Sequence, residues 1–341
     1  MKVNYYQHPE GNFGDELNSW IWKELINDFD LISDDVALFG IGTTLWGDLP
    51  TGKVNFVLGT GVGYGRPVEL TSSSKWHVLA VRGPISARVL GVDEKLAITD
   101  SAILLRNIIP IPHSKGEGGI IFMPHISAAI RGDWDSVCEM AGVEYLDPRS
   151  DSRYIIHKLS EAKLVVADAM HAAIVADTYR VPWIPVVTTA ETNTMKWVDW
   201  TRSIDVDYKP SKLPQSNVLE SIVNFQKKKK ASGDYFDYKK QIHSVEQIAK
   251  QFEATNFSTG NSVVRGTIKV LLIKFLTSKV AGMLLSPLSA YYKYRAGEAL
   301  KRIVNGPSYL SNEQKFEKLL ADMSEKLKLL NEELISFKKE E

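Results

Sequence analysis

Short apolar runs rich in β-branched residues recur along this chain, each closed by glycine or proline and most followed by a helical pattern, in two successive series. In the first, Met1–Tyr6, Val36–Ile41, Val54–Leu58, Trp76–Val81 and Leu96–Thr99 read as strands. Asp15–Asn27 and Gly83–Leu90 read as helices, the latter with Pro84 in its first turn. A joint then follows, Ile109-Pro110-Ile111-Pro112 and Ser114-Lys115-Gly116-Glu117-Gly118-Gly119. Beyond it, Gly119–Met123, Leu164–Val166 and Trp183–Val187 read as strands, and Asp133–Ala141 and Ser152–Ala162 as helices. Repeated βα units build parallel sheets, so the class is α/β. Two series with a joint between them predict two Rossmann-like domains, residues 1–112 and 113–215, facing each other across a cleft.

A length of 341 residues agrees with two domains plus extras rather than one core. Hydrophobic content of 44% and charged content of 24% are ordinary for a soluble globular enzyme. A net charge of zero argues against a polyanion binder, so no nucleic-acid partner is expected. The lone cysteine, Cys138, excludes an internal disulfide framework and a cysteine-cluster zinc site. The start of the chain lacks the apolar core of a signal peptide, and no stretch reaches the roughly 18 uncharged apolar residues of a spanning helix. The expectation is a cytoplasmic protein, able to touch a membrane surface.

Residues 216–341 read as a helical extension. It opens with Lys227–Lys230, and residues 263–302 carry eight basic residues against one acidic. That stretch fits an amphipathic segment lying on an anionic membrane, and equally a basic helix packed on its parent domain. Phe316, Leu320, Met323, Leu327, Leu330, Leu334 and Phe337 follow the 4-3 spacing of a short coiled coil, or of a terminal helix folded back on the protein.

Chemistry concentrates at the strand ends. In Leu164–Ile184 a buried strand turns into a helix with Asp168 placed to cap it and His171 in its first turn. Ligands of open α/β sheets bind at such carboxyl ends, and helix N-termini favour anions. Gly11-Asn12-Phe13-Gly14-Asp15-Glu16 sits at the first βα turn, where Asn12 and Asp15 suit an anion or sugar, or serve as a plain turn and cap. Gly59-Thr60-Gly61-Val62-Gly63-Tyr64-Gly65 lacks the ribose-binding acid of a dinucleotide site and reads as a flexible cleft-lining loop. Arg82 ends a strand, where its guanidinium suits a carboxylate or phosphate, or pairs with a neighbour. Asp100 either caps a helix or accepts a hydroxyl proton, and His125 ends the first strand of the second series facing the cleft. Asp199 and Arg202 lie beside Trp197 and Trp200, a pairing that suits sugar stacking or a packed helix face. No H-E-x-x-H, paired-aspartate metal motif, P-loop or G-x-S-x-G elbow is present, which disfavours a nucleophilic triad and a protein-held metal.

Taken in order, GNFGDELN (11–18), GTGVGYG (59–65), VRGPISARVLG (81–91), ITDSAILL (98–105), FMPHIS (122–127), AGVEYLDP (141–148), ADAMHAAIVADTYRVPW (167–183) and KWVDW (196–200) resemble the polysaccharide pyruvyl transferase family, in its succinoglycan-type ketalase branch. The resemblance implies a glycosyltransferase-B-type pair of domains. It also implies transfer of pyruvate from phosphoenolpyruvate to two hydroxyls of a sugar, making a cyclic ketal with no further cofactor. It maps the family's acid onto His171 and a donor-binding arginine onto Arg82. Two positions depart from the family pattern: Ala169 replaces an arginine two residues before the histidine, and Gly83 replaces the aspartate of V-R-D. His125, Arg153 and Lys196 are then the candidate cations for the donor. The acceptor implied is a lipid-linked oligosaccharide or polysaccharide at the inner membrane face, reached through the basic stretch 263–302. Two other functions suit the same scaffold: a nucleotide-sugar-dependent glycosyltransferase, or a non-catalytic scaffold recruiting partners through its tail.

Overall fold

The computed structural model describes residues 1–47, 52–70, 75–230, 244–256 and 279–338. Residues 263–278 of the basic stretch and the side chains of Lys227–Lys230 lie outside the described residues.

Two parallel sheets organise the chain. In the first, β1 (Lys2–Val3), β2 (Val36–Phe39), β3 (Val54–Leu58) and β4 (Lys75–Ala80) lie side by side in chain order. Val36–Phe39 is buried along its whole length, as expected of a strand covered on both faces. The expected strand Leu96–Thr99 makes only one bridge, Ala97 to Val81. A 3₁₀ turn over Glu94–Leu96, capped by Asp93, and another beginning at Ser101 leave too little chain to pair. The expected helix Asp15–Asn27 is likewise divided into α1 (Phe13–Glu16), a 3₁₀ turn (Leu17–Ser19) and α2 (Ile21–Leu25). Asn18 explains the break: its buried amide bonds both the carbonyl and the N–H of Ile41, tying the turn to the chain beyond β2. Helix α3 (Pro84–Leu90) follows β4.

The second sheet runs β6 (Glu144–Tyr145), β5 (Ile120–Met123), β7 (Leu164–Ala167), β8 (Trp183–Val187), β9 (Ser211–Lys212). After β5 the chain first adds a strand on one side, then returns to add the rest on the other. The order therefore reverses between β5 and β7, and that crevice is where an open sheet holds its ligand. Five helices accompany these strands: α4 (Ile126–Arg131), α5 (Trp134–Ala141), α6 (Ser152–Glu161), α7 (Met170–Thr178) and α8 (Thr194–Ser203). Helix α7 is buried nearly all round, as a helix apolar on every face must be. Its small residues Ala172, Ala173 and Ala176 belong to a core that includes Phe56 and Leu58 of the first sheet and Val165 and Ala167 of the second.

Among the described residues that follow are the helices α9 (Val218–Lys230), α10 (Val245–Asn256), α11 (Lys279–Ile303) and α12 (Glu313–Leu334). Helix α10 packs on α3 through Ile248 and Phe252. The described part of α11 lays Ala296, Ala299 and Leu300 into the core beneath α5. Helix α12 returns to the first sheet, burying Phe316, Leu319, Met323, Leu327, Leu330 and Leu334. Its entry is held by Arg180, which donates to Ser311 and Glu313, and by Asp177, which accepts the Ser311 N–H at 2.8 Å. The 4-3 seam is thus filled by the protein's own sheet.

Candidate active site

A cavity of about 290 Å³ opens where the ends of β5 and β7 meet the first βα turn and the loops after β2 and β8. Asn12, Asp15, His125, Lys196 and His171, all expected in the site, line it. His171 sits in the first turn of α7, its side chain 13% exposed. Its Nε2 points away from solvent towards the fully buried Asp100, 3.7 Å from Oδ2. The Nδ1 edge lies against Gly14: a Cβ at that position would stand 1.9 Å from Nδ1. Only glycine lets the first βα turn approach the imidazole this closely, which accounts for G-N-F-G-D at this point. Asp15, next along, accepts a hydrogen bond from the Asn12 side chain. Burial raises the Asp15 carboxyl above its ordinary value, opposed by that bond and by His171 and Lys196.

His125 caps α4, its Nδ1 accepting the Ser127 N–H at 3.2 Å. Nε2 is then the nitrogen that carries the proton in the neutral ring. Burial, with the positive charges of Lys196, Arg131 and His8, pushes its pKa down to about 3, so it is a neutral donor. Asp168 corrects the expectation drawn from its position. It does not cap α7, whose N-cap is Ala169 with no side-chain bond. Its carboxylate instead accepts from the His125 N–H at 3.0 Å and from Thr188 and Thr192, joining the ends of β5, β7 and β8. Enclosure raises its pKa to about 6, against the pull of those donors. The start of α7 therefore keeps its backbone donors free of a side-chain cap, at the edge of the cavity.

Lys196 projects from α8, its Nζ 2.9 Å from the Tyr64 hydroxyl and 4.5 Å from that ring's centre. Tyr64 stands with Tyr6 and Trp46 among the cavity residues, and all three are well exposed. Rings of this kind offer flat apolar faces to a sugar. Of the two readings left open for Trp197 and Trp200, sugar stacking or a packed helix face, the second holds. Those two are buried against Trp183, a packed face. Tyr6, Trp46, His8 and Asn193 also went unnamed in the sequence; the only local signal was an aromatic ring or short polar residue in a strand-end loop. Within GTGVGYG, residues 59–63 are buried and Gly61 N–H bonds the Gly42 carbonyl, so only the later part borders the cavity freely.

Arg82 does not reach the cavity, and the expectation of a guanidinium facing the cleft is corrected. The side chain is fully buried. Its Nε donates to Asp199 at 3.1 Å, and its other nitrogens to the Gly42 and Val62 carbonyls and the Thr43 hydroxyl. Asp199 also accepts the Ile85 and Ser86 N–H groups, capping α3 from across the molecule. Gly83 permits this, since a Cβ there would stand 2.1 Å from the Asp199 carbonyl oxygen. Arg153 lies outside the cavity too, stacked on the Trp20 ring and paired with Glu24. Asp100 does not line the cavity but backs His171, and its Oδ1 caps the 3₁₀ turn Ser101–Asn107. Among the described residues, no group of three or more His, Cys, Asp or Glu side chains is placed to hold a metal ion.

A parallel α/β scaffold with a largely buried histidine at its switch point, anion-favouring donors and an aromatic rim has the features of a group-transfer enzyme acting on a sugar. Comparison with known proteins makes the class specific. Residues 9–189 match the family model for polysaccharide pyruvyl transferase. The chain is 37% identical over 227 residues to the succinoglycan biosynthesis protein ExoV of Rhizobium meliloti (strain 1021), covering 65% of this chain and 71% of that one. No solved structure matches it. The chain belongs to the polysaccharide pyruvyl transferase family and is a transferase.

Proposed function

We propose that this chain moves pyruvate from phosphoenolpyruvate onto two hydroxyls of one sugar in a surface-polysaccharide repeat unit, closing a cyclic ketal and releasing inorganic phosphate. The observation that carries the reading is His171, held at the β5–β7 switch point with one edge against the cavity-lining Gly14. The imidazolium of His171 gives its proton to the methylene carbon of the donor, leaving an oxocarbenium-like carbon beside the carboxylate. The first sugar hydroxyl bonds that carbon and passes its proton to Asp15. The second hydroxyl displaces phosphate from the same carbon and returns a proton to His171, while the proton on Asp15 leaves with the phosphate. The uncapped start of α7, the Nε2–H of His125 and the ammonium of Lys196 hold the anionic donor. Tyr6, Trp46 and Tyr64 hold the acceptor ring. The two sheets are taken as halves of a glycosyltransferase-B-type arrangement.

The test incubates purified protein with phosphoenolpyruvate and a lipid-linked or nitrophenyl glycoside, following phosphate release and the mass of the sugar. The expected result is one phosphate freed per pyruvylated sugar. His171→Ala should lower the rate about 10²–10⁴-fold, the range of a general acid, at unchanged melting temperature. Turnover of a nucleotide sugar in place of phosphoenolpyruvate overturns the reading.

The acceptor is taken to ride on a lipid carrier at the inner face of the cell membrane. No helix among the described residues is long and apolar enough to cross a membrane. Helix α11 is the contact in this reading, with Leu288, Tyr291 and Tyr294 exposed at successive turns and Arg295 5.7 Å from the Tyr291 ring. Tyr291→Asp with Tyr294→Asp should reduce co-sedimentation with anionic vesicles. Undiminished sedimentation rules α11 out as the contact.

A further inference from the structure

Two buried polar atoms beside the cavity face one another without a hydrogen bond, Asp100 Oδ2 and His171 Nε2, 3.7 Å apart. Native proteins leave few such atoms unpaired, and each calls for a physical reason. Asp100 has little freedom to turn away. Its Oδ1 accepts the Ala102 N–H at 3.0 Å as the cap of the 3₁₀ turn Ser101–Asn107, and the residue is fully buried. Oδ2 is thereby aimed at the imidazole from behind. His171 is confined on its other edge, where Gly14 closes on Nδ1.

We infer that Asp100 is the positioning residue for His171: its Oδ2 accepts from Nε2–H, fixes the ring's tautomer and orientation, and makes Nδ1 the nitrogen that exchanges a proton in the cavity. This rests on the reading of His171 as the acid. An ionised carboxylate accepts only, so in the neutral ring the proton belongs on Nε2 and the lone pair on Nδ1. When the ring carries both protons, Asp100 holds the one on Nε2 and leaves the one on Nδ1 next to the cavity. A separation of 3.7 Å exceeds a formed hydrogen bond, and catalytic contacts of this kind shorten as substrate closes the site. Asp15 is the other carboxylate near His171, on the Gly14 side, and its bond to Asn12 sets it apart from Asp100 in role.

Asp100→Asn tests this with two readouts. The amide oxygen is needed at Ala102 N–H, so its NH₂ turns to Nε2 and donates there, which forces the opposite tautomer. In protein labelled with ¹⁵N-histidine, two-bond ¹H–¹⁵N spectra at a pH where the ring is neutral should show His171 as Nε2–H, its signal assigned by its loss in His171→Gln. Asp100→Asn should convert it to Nδ1–H. In the phosphate-release assay the same variant should lower kcat about 10²-fold or more with little change in KM for phosphoenolpyruvate. Asp100→Ser keeps an acceptor for the Ala102 N–H, so it separates loss of the cap from loss of the carboxylate, and it should show the same fall in kcat. An Nδ1–H tautomer in the native protein, an unchanged tautomer in Asp100→Asn, or full kcat in Asp100→Ser overturns the proposal. The spectra need no substrate. Native protein with the expected tautomer but no phosphate release would count against the donor reading and leave the pair standing.

Discussion

Gly14 is the smallest residue in the site and one of the most constrained. Placing a methyl group 1.9 Å from His171 Nδ1 forces the imidazole or the turn to move. Gly14 lies inside α1, where alanine is otherwise favoured by about 1 kcal/mol. Gly14→Ala should therefore cut kcat about 10²-fold, the effect of a displacement near 1 Å, and lower the melting temperature somewhat, since overpacking costs about 1–3 kcal/mol against that helix gain. Assay and thermal melt of one preparation check this, and full activity would show that the close approach does not matter. His171 was legible in the sequence because a strand, a turn and a helix start are all local patterns. Asp168 was not. Its place suited a cap, but the donors that claim it, His125 N–H, Thr188 and Thr192, belong to neighbouring strand ends. Desolvation then drives the two neighbours in opposite senses, His125 down to about 3 and Asp168 up to about 6, and both shifts favour the uncharged form.

Helix α12 shows how periodicity fixes an element without fixing its partner. A 4-3 repeat states that one face is apolar, and a second helix or a sheet satisfies it equally well. Here the sheet does, with Leu330 and Met323 fully buried within the core that carries Phe56 and Leu58. Leu330→Ala should destabilise the fold by about 2–5 kcal/mol in urea unfolding, the range for a buried leucine. Leu329→Ala, at a position 36% exposed, should stay within about 0.5 kcal/mol. Similar small losses in both would mean that α12 does not pack as described. The parallel strands were legible for the converse reason: Val36–Phe39 and Leu164–Ala167 are short runs that are apolar at every position, as a sheet covered on both faces requires. Asp15–Asn27 looked like one helix because its apolar residues are correctly spaced. Nothing local announces that the Asn18 amide is claimed by Ile41, 23 residues away.

At the scale of the whole molecule, the two halves share an apolar core and are also joined by a buried charge pair. Arg82 follows β4 of the first sheet and Asp199 lies on α8, between β8 and β9 of the second, 117 residues apart. Sequence proximity offered Arg82 no such partner, which is why a strand-end guanidinium read as a ligand for the donor. Removing one member of such a pair leaves the other charge buried, and that costs about 3–5 kcal/mol. Asp199 would retain Ser86 and the α3 N–H groups, which softens the loss without replacing a cation. Arg82→Met should thus lower stability by several kcal/mol. If the proposed reaction is correct, protein that remains folded at low temperature should keep the native KM for phosphoenolpyruvate, because the buried guanidinium does not line the cavity. The opposite outcome, unchanged unfolding with KM raised tenfold or more, would return Arg82 to the cavity. Denaturant unfolding and donor KM on the same variant decide between a residue that holds the halves together and one that holds the substrate.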